Sequence, residues 1–372
     1  MNTERRAAFI LVAFSLTLLS CRESTVGPPE VTHVPSIKGF SYTSFTSNGF
    51  TLGSKRNAIG ELRSQTGSEW IALSVFEYQS TATSVDVAPN STGINPLTGA
   101  PWSTTSTEED IRAAVSEART LNLKIMLKPH LDLYSGEWRA NILPDVDGKW
   151  FASYGAMMMK YAHLASVLNI EMLCIGTELI RATQHKFSLQ WKSLIASIRQ
   201  EYKGNLVYAA NWSGDFQYGI ESPEYEQVEF WGDLDFVGVD AYYPLTESVN
   251  DGPPPIAKSL NKLLVPLQAL GNISTRYGRK VILTEVGIQS ARGALSRPWD
   301  YSIGGAAGSV QDMEAQDYYY RIVMSSFGAE TWCDGMFWWN WESVPSANER
   351  TNYTPRNKLA AATLKRWYSG SL

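Results

Sequence analysis

Eight times along this chain a short run rich in β-branched or aromatic residues gives way to polar residues and then to another element. The runs are IKGFSYT (37–43), EWIALSVFE (69–77), KIMLKPHLD (124–132), IEMLCIGTE (170–178), NLVYAANW (205–212), LDFVGVDAYY (234–243), KVILTEVG (280–287) and GMFWWNWE (335–342). Most are nearly continuous in apolar residues, as strands buried on both faces of a parallel sheet must be. Helical spacing lies between them. Ser106 with Glu109 forms a capping-box signature, and Ile111, Ala114, Val115, Ala118 and Leu121 follow at helical intervals. Stretches 188–202, 256–278 and 311–330 have the same character, with Pro266 expected to kink the second. Strand and helix alternating eight times predict a single (β/α)8 TIM barrel over residues 37–372. An open doubly wound sheet is the alternative, but no glycine-rich phosphate loop follows any strand.

Connection lengths support the barrel. Helix-to-strand links are short, at 121–124, 202–205 and 277–280, whereas strand-to-helix links at 78–106, 133–148, 243–255 and 288–310 are long. Long loops without regular structure usually carry function. In a (β/α)8 barrel all strand-to-helix loops gather at the C-terminal face, where active sites form.

Other classes lose support from composition. The net charge of −5, with no basic block, leaves nucleic acid without an electrostatic footprint. Four scattered histidines and no HExxH or CxxC pattern point to no metal, and no cofactor is expected. Cys174 and Cys333 sit in apolar runs and read as buried free thiols. At the N-terminus Arg5 and Arg6 precede an apolar stretch, Ala7 to Leu19, that is short for a membrane span and fits a signal peptide. The ending LLSC has the form of a bacterial lipobox. Residues 1–20 are therefore expected to be a lipoprotein signal, Cys21 the lipidated residue and 21–36 a polar, proline-rich tether. The expected location is the bacterial cell envelope, with the chain a monomer held to the membrane by its lipid.

The expected strand ends bring a particular mixture to one mouth. The second strand supplies Glu77; the third, His130 and Asp132, with Trp138 and Arg139 in its loop; the fourth, Glu178; the fifth, Asn211 and Trp212. The sixth supplies Asp240, Tyr242 and Tyr243, the seventh Glu285, and the eighth Trp338 to Glu342. Aromatic faces stack on sugar rings, and carboxylates, amides and imidazole take up hydroxyls, so the expected partner is a polysaccharide or oligosaccharide. Glycosidic cleavage needs two carboxyl groups flanking the bond, one protonated and one ionised. Strands four and seven stand on opposite parts of an eight-membered ring, so Glu178 and Glu285 can face each other.

These residues carry a family resemblance. KPHLDL (128–133), IGTEL (175–179), DFVGVDAYYPL (235–245), ILTEVG (282–287) and FWWNWE (337–342), in this order and spacing, resemble glycoside hydrolase family 113, a family of endo-β-mannanases within the retaining (β/α)8 glycosidases. The resemblance spans nearly the whole mature chain. It implies Glu178 as acid/base, Glu285 as nucleophile, Tyr242 or Tyr243 as hydrogen-bond donor to the nucleophile, and a strand-eight tryptophan, Trp339, as a sugar platform. Many members of the wider clan have Asn before the acid/base to bind the sugar 2-hydroxyl; this chain has Thr177. His130, Asn211 and Asp240 are the candidates for that contact. Other β-glycans, transglycosylation and non-catalytic glycan binding stay open as alternatives.

Plainer roles stand beside these. Glu178 alone would suit a helix N-terminus. Asp240 would suit a core ion pair with Arg139 or Lys128, and Lys128 itself reads as a buried ion-pair partner. His130 is equally suited to a supporting position behind the site. Strand alternation would place Trp338 with Asn340, and Trp339 with Trp341, on opposite faces.

Overall fold

The computed structural model describes residues 34–371. Eight parallel strands close into a barrel in chain order: β1 Ile37–Thr43, β2 Trp70–Gln79, β3 Lys124–Leu133, β4 Met172–Thr177, β5 Asn205–Asn211, β6 Phe236–Asp240, β7 Lys280–Val286 and β8 Cys333–Glu342. All eight expected strands form, with ends shifted by a few residues. The leader 1–20, Cys21 and all but the last three residues of the tether 21–36 lie outside the described residues.

Two apolar layers hold the barrel. Inward side chains fill its lower half, among them Trp70, Met126, Met172, Val207, Ile282 and Phe337. Outward side chains pack under the surrounding helices in a larger core that includes Trp150, Trp191, Trp231, Trp338 and Trp341. Because side chains alternate along a strand, Met126, Lys128, His130 and Asp132 climb one inner face of β3 from packed floor to open mouth. Cys174 and Cys333 are buried free thiols, as expected.

The helices depart from expectation in two places. The cap before helix Glu108–Thr120 is Thr107, whose side chain accepts from Asp110 N; the Ser106–Glu109 box is one residue out of register. The stretch 256–278, by contrast, forms the helix expected of it, Ile256–Tyr277, with Pro266 inside. Between β5 and β6 the expected helix is missing, and residues 212–235 hold only the single α-turn Glu224–Gln227 and two 3₁₀ turns. That segment has no amphipathic stretch long enough for a helix. Its buried Tyr225, Phe230 and Trp231 cover the barrel wall directly.

Three strands carry an extra residue near the mouth. Across β4 and β5 the pairing runs from Cys174↔Val207 to Thr177↔Ala209. On β7 it passes from Val239↔Leu283 to Asp240↔Glu285, and on β8 from Phe40↔Trp338 to Tyr42↔Trp341. Such bulges bend a strand and re-aim its side chains. The bulge in β8 breaks the alternation expected for Trp338–Trp341. Trp338 and Trp341 both enter the outer core, Trp338 stacked on Tyr320 with ring centroids 3.8 Å apart, while Trp339 faces the mouth.

Candidate active site

A cleft of about 690 Å³ opens at the C-terminal end of the barrel. Glu178 and Glu285 line it, together with His130, Asp132, Trp138, Asn211, Trp212, Tyr242 and Trp339. Of the catalytic and sugar-binding residues expected from sequence, only Asp240 and Tyr243 are not among them. Asp240 lies below the cleft, fully buried, where it accepts from Lys128 Nζ (3.0 and 3.1 Å) and from Thr284 Oγ1 (2.7 Å). Its inward position one layer down, on the Lys128 level, commits it to the core. Tyr243, one residue on from Tyr242, faces outward and stacks on Phe327 at 5.9 Å. Glu77 also turns away from the mouth, to Lys160 and to Tyr161 Oη at 2.9 Å.

The nucleophile candidate is held by two donors. Lys128 Nζ donates to Glu285 Oε1 at 2.5 Å, and Tyr242 Oη donates to Oε2 at 2.7 Å. Burial works against the charge on Lys128, but Asp240 and Glu285 outweigh it and hold the ammonium above the ordinary lysine value. Glu285 thus keeps a cation at one oxygen and a phenol at the other.

Glu178 has a different environment. Trp138 Nε1 donates to its Oε2 at 3.3 Å, and Arg139 Nη1 stands 3.6 Å away. Burial raises its carboxyl to about 7; the nearby Glu285 charge adds to this, and Arg139 with the Trp138 bond opposes it. A carboxyl in that range is protonated to donate and ionised to accept near neutral pH. Its backbone is in the left-handed region, φ 53°, where the other four described non-glycine residues are all asparagines. That conformation costs a side-chain-bearing residue about 1–2 kcal/mol, so neighbouring structure must hold it. The helix after it begins at Ser188, so Glu178 is no helix-capping acid.

His130 has a settled tautomer. Arg139 Nη1 lies 2.9 Å from its Nδ1, and a guanidinium only donates, so Nδ1 accepts and the proton sits on Nε2. Burial, Arg139 and Lys128 push the imidazole well below its ordinary pKa, so it is neutral. Nε2 is buried with no protein partner and lies 3.7 Å from Glu285 Oε1. Thr177 is buried and is not among the side chains lining the cleft.

Sequence reasoning did not single out Phe45, Phe76, Phe216, Trp299 and Tyr301 as cleft residues. Four of them come from loops, where no strand period marks which side chains face inward. Phe216 is 73% exposed and Tyr301 58%, so the rim is an open aromatic surface.

A closed parallel barrel with a carboxyl on β7, another just past β4, and aromatic side chains around both defines a glycoside-cleaving enzyme of the two-carboxylate type. The family model for glycoside hydrolase family 113 matches residues 40–358, and the chain belongs to that family. Among solved structures, a family 113 β-1,4-mannanase is similar at 23% identity, over 90% of this chain and 99% of the other, with TM-score 0.72. A family 113 β-mannanase from Alicyclobacillus acidocaldarius is equally similar, at 23% identity and TM-score 0.72 over 91% and 98%. A β-glucuronidase from Ruminococcus gnavus shares the barrel at 13% identity and TM-score 0.55, with 50% of its own length covered. No curated protein sequence matches.

Proposed function

We propose that the protein is an endo-acting, retaining β-1,4-mannanase. The observation that carries the reading is the contrast between its two carboxyl groups: Glu178 is raised to about 7 by burial, and Glu285 is held by Lys128 and Tyr242. Opposed environments of this kind separate an acid from a nucleophile. Glu178 gives its proton to the glycosidic oxygen as the bond from that oxygen to the anomeric carbon breaks. Glu285 forms the new bond to that carbon. Glu178, now ionised, takes a proton from water, the water oxygen attacks the anomeric carbon, and Glu285 leaves with its charge restored. The neutral His130 presents its Nε2–H to a hydroxyl beside the reacting carbon, the contact that Thr177 does not supply.

Internal cleavage is favoured by the rim. Phe45 follows β1 and Phe216 follows β5, four strands away round the ring, so aromatic surface lies on opposite sides of the mouth. The mannan linkage is proposed from similarity to the family 113 β-mannanases. Both carboxyls of the proposed pair come from one barrel, and we propose that the chain acts as a monomer. The Glu285→Ala variant should release no reducing ends from β-mannan while keeping the wild-type circular dichroism. Proton NMR of the first product should show the β-anomer. Full activity in that variant, or an initial α-anomer, overturns the mechanism; a β-glucan cleaved faster than mannan overturns the substrate.

We also propose that Cys21 carries a lipid anchor in the bacterial envelope. The charged, apolar and small-residue layout of 5–21 supports it. β1 begins at Ile37, at the barrel end opposite the cleft. Cys21→Ala should move the protein from the detergent phase to the aqueous phase of a Triton X-114 partition; an unchanged partition refutes the anchor.

A further inference from the structure

The left-handed backbone at Glu178 needs a support, and one stands directly behind it. The ring of Tyr208, on β5, lies against Gly176, where a Cβ would meet it at 2.7 Å. Tyr208 Oη accepts from Leu179 N at 2.8 Å, the peptide immediately after Glu178, and donates to Glu224 Oε1 at 2.5 Å. Glu224 comes from the short turn that replaces the missing helix between β5 and β6, and it is fully buried. Its Oε1 also accepts from Thr183 Oγ1 at 2.9 Å, and its Oε2 from Asn211 N at 2.7 Å. Glu178 N itself donates to Ala209 O at 2.8 Å.

We infer that Glu224, acting through Tyr208, is a positioning residue that fixes the backbone on which the acid/base Glu178 is carried. The inference rests on the proposed role of Glu178. Its physical content is an accounting of donors. Three neutral donors converge on Glu224 and, among the described residues, no basic side chain is its partner, so the site is shaped for an acceptor-only group. A buried carboxylate without a cation is costly, and burial does raise Glu224 to about 7 against the pull of those donors. An apolar residue would bury no charge but would leave those three donors without a partner. What the carboxylate adds is orientation: with Tyr208 donating to Glu224, its oxygen lone pairs are left to receive Leu179 N. The same carboxylate fixes the peptide of Asn211, so one buried group ties the backbones of two cleft residues together.

Two variants test this. Tyr208→Phe removes the hydroxyl and keeps the ring on Gly176. Glu224→Gln keeps the shape, but its amide N–H₂ meets a donor whichever way it turns. For a β-mannooligosaccharide, whose leaving group needs a proton, kcat/KM should fall about 10- to 100-fold in each, the scale of a small misplacement of a catalytic group. For a 2,4-dinitrophenyl β-mannoside, whose phenolate leaves unaided, kcat/KM should change less than about threefold. Azide should raise kcat on the latter substrate by attacking the anomeric carbon of the glycosyl-enzyme without base assistance. Equal losses on both substrates, or none on either, overturn the proposal, because a general loosening of the barrel does not distinguish leaving groups. Independently of substrate, the ¹³C carboxyl resonance of Glu178, recognised by its absence in Glu178→Gln, should titrate at lower pH in Tyr208→Phe as water reaches the loosened side chain. An unmoved midpoint also overturns it. Wild-type protein inert toward both mannosides would refute the mannanase reading alone, and the titration would still decide the role of Glu224.

Discussion

Replacing Glu178 with Gln should make the protein more stable, and only above a definite pH. The native carboxyl titrates near 7, against 4.5 for an ordinary glutamate. Below 4.5 it is protonated in both the folded and the unfolded chain and contributes no difference. Between 4.5 and 7 the unfolded chain releases the proton and the folded chain keeps it, so stability falls as pH rises. Each pH unit in that interval is worth about 1.4 kcal/mol, and the whole interval about 3 kcal/mol at its upper bound. The side chain is 13% exposed, so solvent screening removes little of this. Gln keeps the shape and can still accept from Trp138, but it has no charge to bury. The stability difference, variant minus wild type, should be flat near pH 4, climb between 4.5 and 7, and level off by pH 8 at about 2–3 kcal/mol in favour of the variant. Guanidinium unfolding at pH 4, 6 and 8 reads it directly. A flat difference, or a variant less stable at pH 8, would show that Arg139 at 3.6 Å outweighs burial, and the acid assignment would lose its physical basis.

Three further outcomes follow from the same contacts. Arg139 donates to Asp132 Oδ1 at 2.6 and 2.9 Å, so Asp132→Asn should free the guanidinium to act on Glu178 and move the alkaline limb of kcat/KM down by about one pH unit; a limb that stays or rises refutes this division of charge. Lys128→Met leaves Asp240 and Glu285 facing each other without a cation and should cost about 3–5 kcal/mol in denaturant unfolding, with part of the loss recovered by Asp240→Asn in the same chain. Gly176→Ala places a Cβ 2.7 Å from the Tyr208 ring and 3.0 Å from Tyr154 Oη, an overpacking expected to lower stability by about 1–3 kcal/mol; wild-type thermal unfolding would show that the wall yields freely.

The barrel and the pair of carboxyls were legible because they depend on properties that a sequence carries openly. Strands buried on both faces read as apolar runs, and the ends of those runs place Glu178 and Glu285 at one mouth without further information. Less was visible where the geometry depends on an extra residue in a strand. A bulge has no compositional mark, so nothing in WWNW announces that Trp338 and Trp341 share a side. Of the two readings of Asp240, the core pair with Lys128 holds and the sugar contact does not, for another reason. An inward side chain at a strand end looks alike in sequence whether it reaches the cleft or stops one layer below, and only the Lys128 level decides it. Glu224 was hidden twice, in a segment without periodicity and at a position whose partners come from β5 and a distant loop.

The bulges also explain why two glutamates on one ring behave differently. The extra residue in β7 lets Thr284 and Glu285 both approach the interior, so that Thr284 meets Asp240 while Glu285 reaches Lys128. Glu285 is thereby built into the charged floor of the cleft. The extra residue in β4 comes before Thr177 and carries the chain out of the strand, so Glu178 stands beyond the last rung of pairing, on a left-handed peptide. There the floor cation is remote, and the nearer one is largely committed to Asp132 and His130. Burial then has little to oppose it. Glu178 and Glu285 therefore differ less in their own chemistry than in how far each bulge carries them from Lys128, and the tie from Leu179 through Tyr208 to Glu224 keeps that separation constant.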